Sequence, residues 1–430
     1  MAEVRRDMWG QEYRTSSADC AAALDAYYAA TMAFGRGRGA FVLRAAAADP
    51  TCVLAAALAA HFVSPRDPAA AAAYLAAAAD NLVSFLVDGR RSVSLPRLPF
   101  SPPRFNLWAM FVRVQDNATD YERAVFRVHN AMVGDEKDEE LAIERHFELL
   151  KEFPRDLIFM GLTTDQVLPE NQDQNYIYGL LAFPLLELGK MDEAERAARK
   201  GLDINKDDVW SQHNLCHVFQ QECHFREATE FMISCSPSWR DCTSFLFTHN
   251  WWHVAVCYLE AESPLCKVLE VYDQNIMKEL ERSDSEAAEV YLNALGLLLR
   301  LYVRGHIDSA KERLKMLVDP LKDEVIVSSM DKKRQQVMQK AIQLADAVYE
   351  YGKGEYKKVF DILGPDFDAL GYKMIGASDE QVDVFNEVWY TVLINTGGHP
   401  KEKAYSLDGR RADASVASEK ANALQAAYFR

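Results

Sequence analysis

Most of the chain has the composition and spacing of helices rather than strands. Good helix-forming residues fill six segments. Helix-breaking pairs interrupt or separate them, for example Asp49-Pro50, Ser64-Pro65 and Gly189-Lys190. These segments are 18–33, 40–63, 67–87, 121–132, 139–153 and 174–203. The apolar and polar alternation that is typical of strands is scarce. The pattern therefore predicts an all-α fold.

Two segments interrupt the helical pattern and suggest how the chain is divided. Residues 89–105, GRRSVSLPRLPFSPPRF, contain four prolines, which predicts a linker or surface loop. We therefore expect N-terminal helical repeats at 1–88 and a second set of repeats at 106–396. From 397 to 430 the chain is mostly polar, with one amphipathic run, which predicts a polar connection and a C-terminal helix.

A short sequence motif recurs along the chain and predicts repeated helix pairs. It joins a turn to the start of a helix, and Ala194 in one copy lies 34 positions before Ala228 in the next. A period of 34 is characteristic of tetratricopeptide repeats, in which each unit is a helix pair that stacks on its neighbours. The four copies begin near Leu188, His224, Arg304 and Lys353. We therefore expect a curved α-solenoid of antiparallel helix pairs.

The most specific local pattern is a duplicated histidine motif, HNxxHV. Its copies run from His213 to Val218 and from His249 to Val254, so corresponding residues are 36 positions apart, close to the repeat period. The spacing i to i+4 places both histidines of a copy on one helix face. Adjacent helices pack about 8–10 Å apart, so imidazoles from both copies could converge on one ligand.

The chain resembles the tetratricopeptide repeat protein 38 family from about residue 18 to 395. Four segments carry the resemblance: Ala48–Thr51, Trp210–His217, His249–His253 and Gly376–Phe385. In the last segment Ala377, Glu380 and Val382 stand where family members usually have Gly, Ala and Arg. The resemblance implies an all-helical cytosolic protein, and suggestions for the family include a biosynthetic oxygenase. Similar arrays also imply that His213 and His217 face a concave groove.

Three interpretations of the four histidines remain open. Neutral imidazole is a preferred ligand of transition metals, so His213, His217, His249 and His253 could hold an ion such as zinc or iron. The same imidazoles could act without a metal, as acid and base groups or by orienting a ligand. In the third interpretation they are core residues whose ring nitrogens bond to the backbone or to neighbouring amides.

Other residues are candidate members of the same site, each with a plainer alternative. Asp165, in the preceding repeat, could be a ligand, a supporting group or a general base, or an exposed turn residue. Gly179 could leave room for a ligand or allow close helix packing. The remaining candidates could contact a ligand or fill the core: Phe183, Asn214, Asn250, Trp251 and Trp252.

Composition and charge narrow the function classes. With 48 Lys+Arg and 64 Asp+Glu in 430 residues, the formal net charge is −16, which argues against nucleic-acid binding. No apolar run is long enough for a membrane span or has the form of a secretory signal, so we expect a cytoplasmic protein with reduced cysteines. Nucleotide-binding and standard hydrolase motifs are absent from the sequence.

The sequence therefore favours a helical-repeat protein that binds a small molecule in a histidine-lined groove, with catalysis or a metal ion as open options. The alternative is a scaffold whose concave surface binds a peptide or partner protein, with structural histidines. The ligand-binding interpretation is preferred because two matched HxxxH pairs have little use in a scaffold.

Overall fold

The computed structural model describes residues 3–87, 91–92, 112–134, 137–156, 167–318, 332–369 and 379–397. Seventeen α-helices and five short strands lie in these ranges, so the predicted predominance of helices is confirmed. The chain forms two compact units, 1–247 and 248–430, and the division falls within one helix. The predicted segment 89–105, apart from Arg91 and Ser92, and residues 398–430 lie outside the described ranges.

The first unit begins with a small antiparallel hairpin that the sequence pattern did not indicate. Strands β1 (Glu3–Arg6) and β2 (Glu12–Thr15) pair with Glu3 opposite Thr15. In the turn, the Asp7 carboxylate accepts hydrogen bonds from the backbone N–H groups of Trp9 and Gln11, at 3.0 and 2.9 Å. Each strand has only four residues, which is too short for a clear alternating pattern.

Four helices follow: α1 (Ala18–Met32), α2 (Arg38–Ala48), α3 (Val53–Val63) and α4 (Pro68–Leu82). Helix α1 packs against α2, and α3 against α4. The helix predicted over 67–87 ends early, because Val83–Val87 forms strand β3. This segment, VSFLV, is rich in β-branched and aromatic residues, which favour strands. Strand β3 lies between β4 (Arg91–Ser92) and β5 (Val112–Asp116) in an antiparallel sheet.

Helices α5 (Asp120–Val133) and α6 (Glu139–Glu152) complete the N-terminal core. A capping box starts α5: the Thr119 hydroxyl accepts from the Glu122 N–H, and the Glu122 carboxylate accepts from the Thr119 N–H. The buried side chains here come from the hairpin and from α1, α3, α5 and α6, and they include Trp9, Leu24, Tyr28, Leu54, Leu58, Tyr121, Val125 and Leu149.

The rest of the first unit consists of consecutive helix pairs with the predicted period. Helix α7 (Asn175–Glu187) packs against α8 (Met191–Ile204), and α9 (Val209–Gln221) against α10 (Phe225–Cys235). Ala194 and Ala228 occupy equivalent places in α8 and α10, and both are completely buried. Helix α11 (Ser244–Glu260) contains the division between the units.

The second unit is also built from helix pairs. Helix α12 (Leu265–Val271) continues into a π-turn and a 3-10 turn, and five longer segments follow. They are α13 (Ala287–Val303), α14 (Ile307–Val318), α15 (Lys332–Gly352), α16 (Tyr356–Leu363) and α17 (Asp379–Asn395). Helix α13 packs against α14 and α17, and α15 against α16. The repeat positions Ala310 and Val359 are completely buried here.

None of the described helices combines the length and apolar character needed to cross a bilayer.

Five of the turns within helix pairs have the same backbone geometry. Each has one residue with positive φ, at Gly189, Cys223, Glu262, Gly305 and Gly354. In the first turn the Gly189 N–H donates to the Leu186 carbonyl, and the next N–H to the Leu185 carbonyl. The same pairing recurs at each of the other four turns. The repeat therefore imposes a left-handed backbone even on Cys223, which lies 34 positions after Gly189.

Replacing Cys223 with glycine should stabilise the first unit. A non-glycine residue in this conformation costs about 1–2 kcal/mol, whereas glycine adopts it freely but loses more chain entropy on folding. We therefore expect Cys223→Gly to raise the free energy of unfolding by up to about 1 kcal/mol, measured by urea denaturation.

Gly189→Ala is the matched control. No heavy atom lies within 4 Å of a Cβ placed at Gly189, so its substitution tests the backbone alone, and it should destabilise the protein. A Cys223→Gly variant that is less stable than the parent protein would contradict this account of the turn.

Candidate functional site

Helix α9 carries the first histidine motif and is buried on nearly all sides. Ten of its thirteen side chains are buried, and five of these are polar: Ser211, Gln212, His213, Asn214 and His217. Burying a polar group is unfavourable unless it finds a hydrogen-bonding partner. The position of this helix therefore depends on a set of specific polar contacts.

Asp208 fixes the start of α9 and joins it to α7. One carboxylate oxygen accepts hydrogen bonds from the N–H groups of Trp210 and Ser211, at 3.1 and 3.3 Å. The other oxygen accepts from the Asn175 amide at 2.9 Å and from the Ser211 hydroxyl at 3.1 Å. Burial raises the pKa of Asp208, and these four bonds act in the opposite direction. The cap sets the orientation of the helix.

His213 and His217 point their ring nitrogens at each other. Their Nε2 atoms are 3.0 Å apart, the ring centroids are 4.6 Å apart, and the rings are nearly perpendicular at 80°. The two residues are only 2% and 6% exposed. At this separation the two Nε2 atoms cannot both carry a proton. Either one Nε2–H donates to the other ring, or both lone pairs point towards one cation.

An aromatic stack covers the outer side of His213. Trp210 lies parallel to the His213 ring, with centroids 4.9 Å apart and an interplanar angle of 8°. Trp210 also stacks on Phe34 at 4.8 Å and contacts Phe183 at 5.5 Å. Phe183 is 36% exposed, so this predicted residue lies at the outer edge of the aromatic group. The stack holds the His213 ring in one plane.

Two other predicted residues hold α7 against α9. The Asn214 amide donates to the Gly179 carbonyl at 3.0 Å and to the Trp210 carbonyl at 2.9 Å. A Cβ at Gly179 would lie 3.0 Å from the Ser211 hydroxyl oxygen and 3.1 Å from a Trp210 ring carbon. These contacts give Asn214 and Gly179 a packing role, and a ligand contact for either stays a prediction.

The second histidine motif has different supporting contacts. His249 and His253 are 3% and 0% exposed, and their ring centroids are 4.6 Å apart. The Nδ1 atom of His249 lies 3.0 Å from the Asn293 amide oxygen, and the Asn293 amide nitrogen donates to the Thr248 hydroxyl at 2.8 Å. Asn293 was not predicted, because it lies 44 positions after His249 in another helix.

Trp252 forms the aromatic cover of the second motif. Its ring stacks on the His249 ring, with centroids 5.4 Å apart and an interplanar angle of 14°. Trp252 is almost completely buried, and the predicted residue Asn250 is completely buried. The Arg300 guanidinium lies 5.6 Å from the Trp252 ring and forms an ion pair with Glu387 at 3.4 Å. These contacts explain how a tryptophan and an arginine share a buried position.

Two of the four motif histidines, His213 and His217, lie within the first unit and could hold one metal ion between their Nε2 atoms. His249 and His253 belong to the second unit, so their predicted share in the same site stays a prediction. Asp165 lies outside the described residues, and its predicted role also stays a prediction.

A second histidine cluster, which the sequence did not indicate, lies in the first unit. His61 on α3 and His129 on α5 have ring centroids 5.0 Å apart, and His146 on α6 also acts on His129. Complete burial and the two neighbouring imidazoles lower the pKa of His129 well below its ordinary value, and burial lowers that of His61. The three residues share no motif, since they come together only in the fold.

A search against models of known protein families finds no match to this chain. Functional assignment therefore depends on the residues of the site themselves.

The His129 environment predicts a loss of stability in mild acid. Because its pKa is lower in the folded chain than in the unfolded chain, the unfolded chain binds a proton first as the pH falls below about 6.5. The free energy of unfolding should therefore decrease between about pH 7.5 and pH 5.5. We expect His129→Phe to reduce this decrease, as measured by urea denaturation at both pH values.

An equal loss of stability in the parent protein and in His129→Phe would show that His129 does not cause it.

Proposed function

We propose that the protein binds a transition metal ion through buried histidines, with zinc as the first candidate, and that this ion receives a small-molecule ligand. The observation that carries the proposal is the 3.0 Å separation of the His213 and His217 Nε2 atoms. The proposal also includes the cytoplasmic location, the curved repeat array and the relationship to the tetratricopeptide repeat protein 38 family.

The His213 and His217 pair has the spacing of two ligands on one ion. Imidazole nitrogens bind zinc at about 2.0–2.1 Å, so two of them lie about 2.9–3.4 Å apart when the angle at the metal is about 90–110°. The observed 3.0 Å falls in this range. The distance between the two nitrogens is therefore the one that a shared ion requires.

The duplicated motif makes His253 our candidate for a third ligand, because the sequence spacing predicts that both copies serve one site. Structural zinc sites in proteins nearly always have four protein ligands, whereas catalytic sites have three and keep one position for water or substrate. A set of three histidines therefore supports a site that accepts a further ligand. The open position is what connects metal binding to a small-molecule function.

The aromatic contact around His213 suits this role, because stacking on Trp210 fixes the plane of the His213 ring. Groups that orient ligand imidazoles typically change metal affinity by about 10- to 100-fold.

A second candidate function has one observation in its favour. The His213 and His217 nitrogens are also at hydrogen-bonding distance, so one shared proton would satisfy both without an ion. The histidines would then be structural, and the helix pairs would serve as a scaffold for a peptide or partner protein.

Metal analysis separates the two candidates. The protein, purified without a histidine tag or chelator, should retain about one equivalent of zinc or another transition metal. The His213→Ala/His253→Ala double variant should lose it, with an affinity lower by at least about 100-fold in a competition titration. The exposed His224→Ala variant is the matched control and should bind normally.

The thermal unfolding midpoint shows whether the double variant is folded. A folded double variant that binds as much zinc as the parent protein would refute the metal site. A parent protein that binds no zinc, iron, copper or nickel at micromolar concentration would leave the structural interpretation.

A further inference from the structure

The connection between α1 and α2 contains a strained aromatic residue. Phe34 has a φ of +51°, which bulky side chains rarely adopt, and it is followed by Gly35. Strain of this kind persists only where the surrounding structure enforces it, and it is often found at functional positions. The conformation of Phe34 therefore points to a specific role for its side chain.

A short strap holds the residues around Phe34 in place. The Phe34 carbonyl accepts a hydrogen bond from the Thr243 N–H at 2.7 Å, and the Arg36 N–H donates to the Asp241 carbonyl at 2.9 Å. Gly35 and Cys242 form an isolated antiparallel bridge between these bonds. The Arg36 side chain adds a bond to the Ser244 hydroxyl at 3.3 Å. Residues 34–36 are therefore fastened to residues 241–244.

The strained backbone places the Phe34 ring on the outer end of the aromatic stack. Phe34 and Trp210 are half-buried and lie 4.8 Å apart, and Trp210 lies 4.9 Å from His213, which is 2% exposed. Both aromatic rings are therefore more exposed than His213. A small solute approaching His213 from this side must displace the rings that cover it.

We propose that Phe34 is the gate between solvent and the His213 and His217 nitrogens, and that the bonds between 34–36 and 241–244 are its latch. Opening breaks the bonds of the latch but relieves the backbone strain at Phe34. The relief of this strain offsets part of the free-energy cost of breaking the bonds. Gly35 within the latch and Gly37 just after it allow the backbone to rotate. That a metal ion or its ligand passes the gate rests on the proposed function. The gate itself can be tested without metal.

Chemical modification of the histidines by diethyl pyrocarbonate measures access directly. The full chain, freed of metal with a chelator, is treated with the reagent, and peptide mass spectrometry follows His213 and His217. The exposed His224 serves as an internal reference for reagent activity. In Phe34→Gly the backbone keeps its φ without strain while the ring is lost. We expect modification of His213 and His217 to be about fivefold faster or more, with His224 unchanged.

Arg36→Ala tests the latch separately, because the Phe34 ring and the backbone bonds stay while the side-chain bond to Ser244 is lost. Modification of His213 and His217 should rise about two- to threefold. The thermal midpoint of each variant is measured alongside. Unchanged rates at both histidines in folded Phe34→Gly would overturn the proposal.

An equal acceleration at His61, which is half-buried on α3, would also overturn it, because that result indicates general loosening of the unit. If the gate result holds but the parent protein binds no metal, the metal proposal fails and the gate stands.

Discussion

Two imidazole nitrogens lie 3.0 Å apart inside a buried helix, and this contact places the strongest constraint on the structure around it. The two rings cannot both be charged in this position, so they need either one shared proton or one cation. The Asp208 cap fixes the start of the helix, the Asn214 amide joins it to α7, and the Trp210 stack fixes one ring. Each of these contacts preserves the separation that a metal ion would use.

The two copies of HNxxHV have kept their histidines and changed their surroundings. Trp210 covers His213 from three positions before it, whereas Trp252 covers His249 from three positions after it. Asn293 bonds to a nitrogen of His249, while a nitrogen of His213 faces His217. A packing solution inherited by both repeats would retain its partners along with its histidines. This difference favours different roles for the corresponding residues His213 and His249.

The sequence predicted what depends on local spacing. Helix positions, the turns at Gly189, Gly305 and Gly354, and the pairing of histidines one turn apart all follow from residues close in the chain. It did not indicate contacts that the fold creates over long separations, such as Asn293 on His249, or the cluster around His129. It also missed the two small sheets and two left-handed residues: Cys223, whose conformation the repeated turn imposes, and Phe34, which a long-range bond to Thr243 holds.

We propose that the buried histidines form a metal site with an open position. X-ray absorption at the zinc edge of the zinc-loaded protein tests it most directly. We expect imidazole nitrogens at about 2.0–2.1 Å, three for each zinc ion, with one further oxygen or nitrogen donor at the remaining position. Coordination by sulfur at about 2.3 Å, or a shell without the imidazole signature, would contradict it.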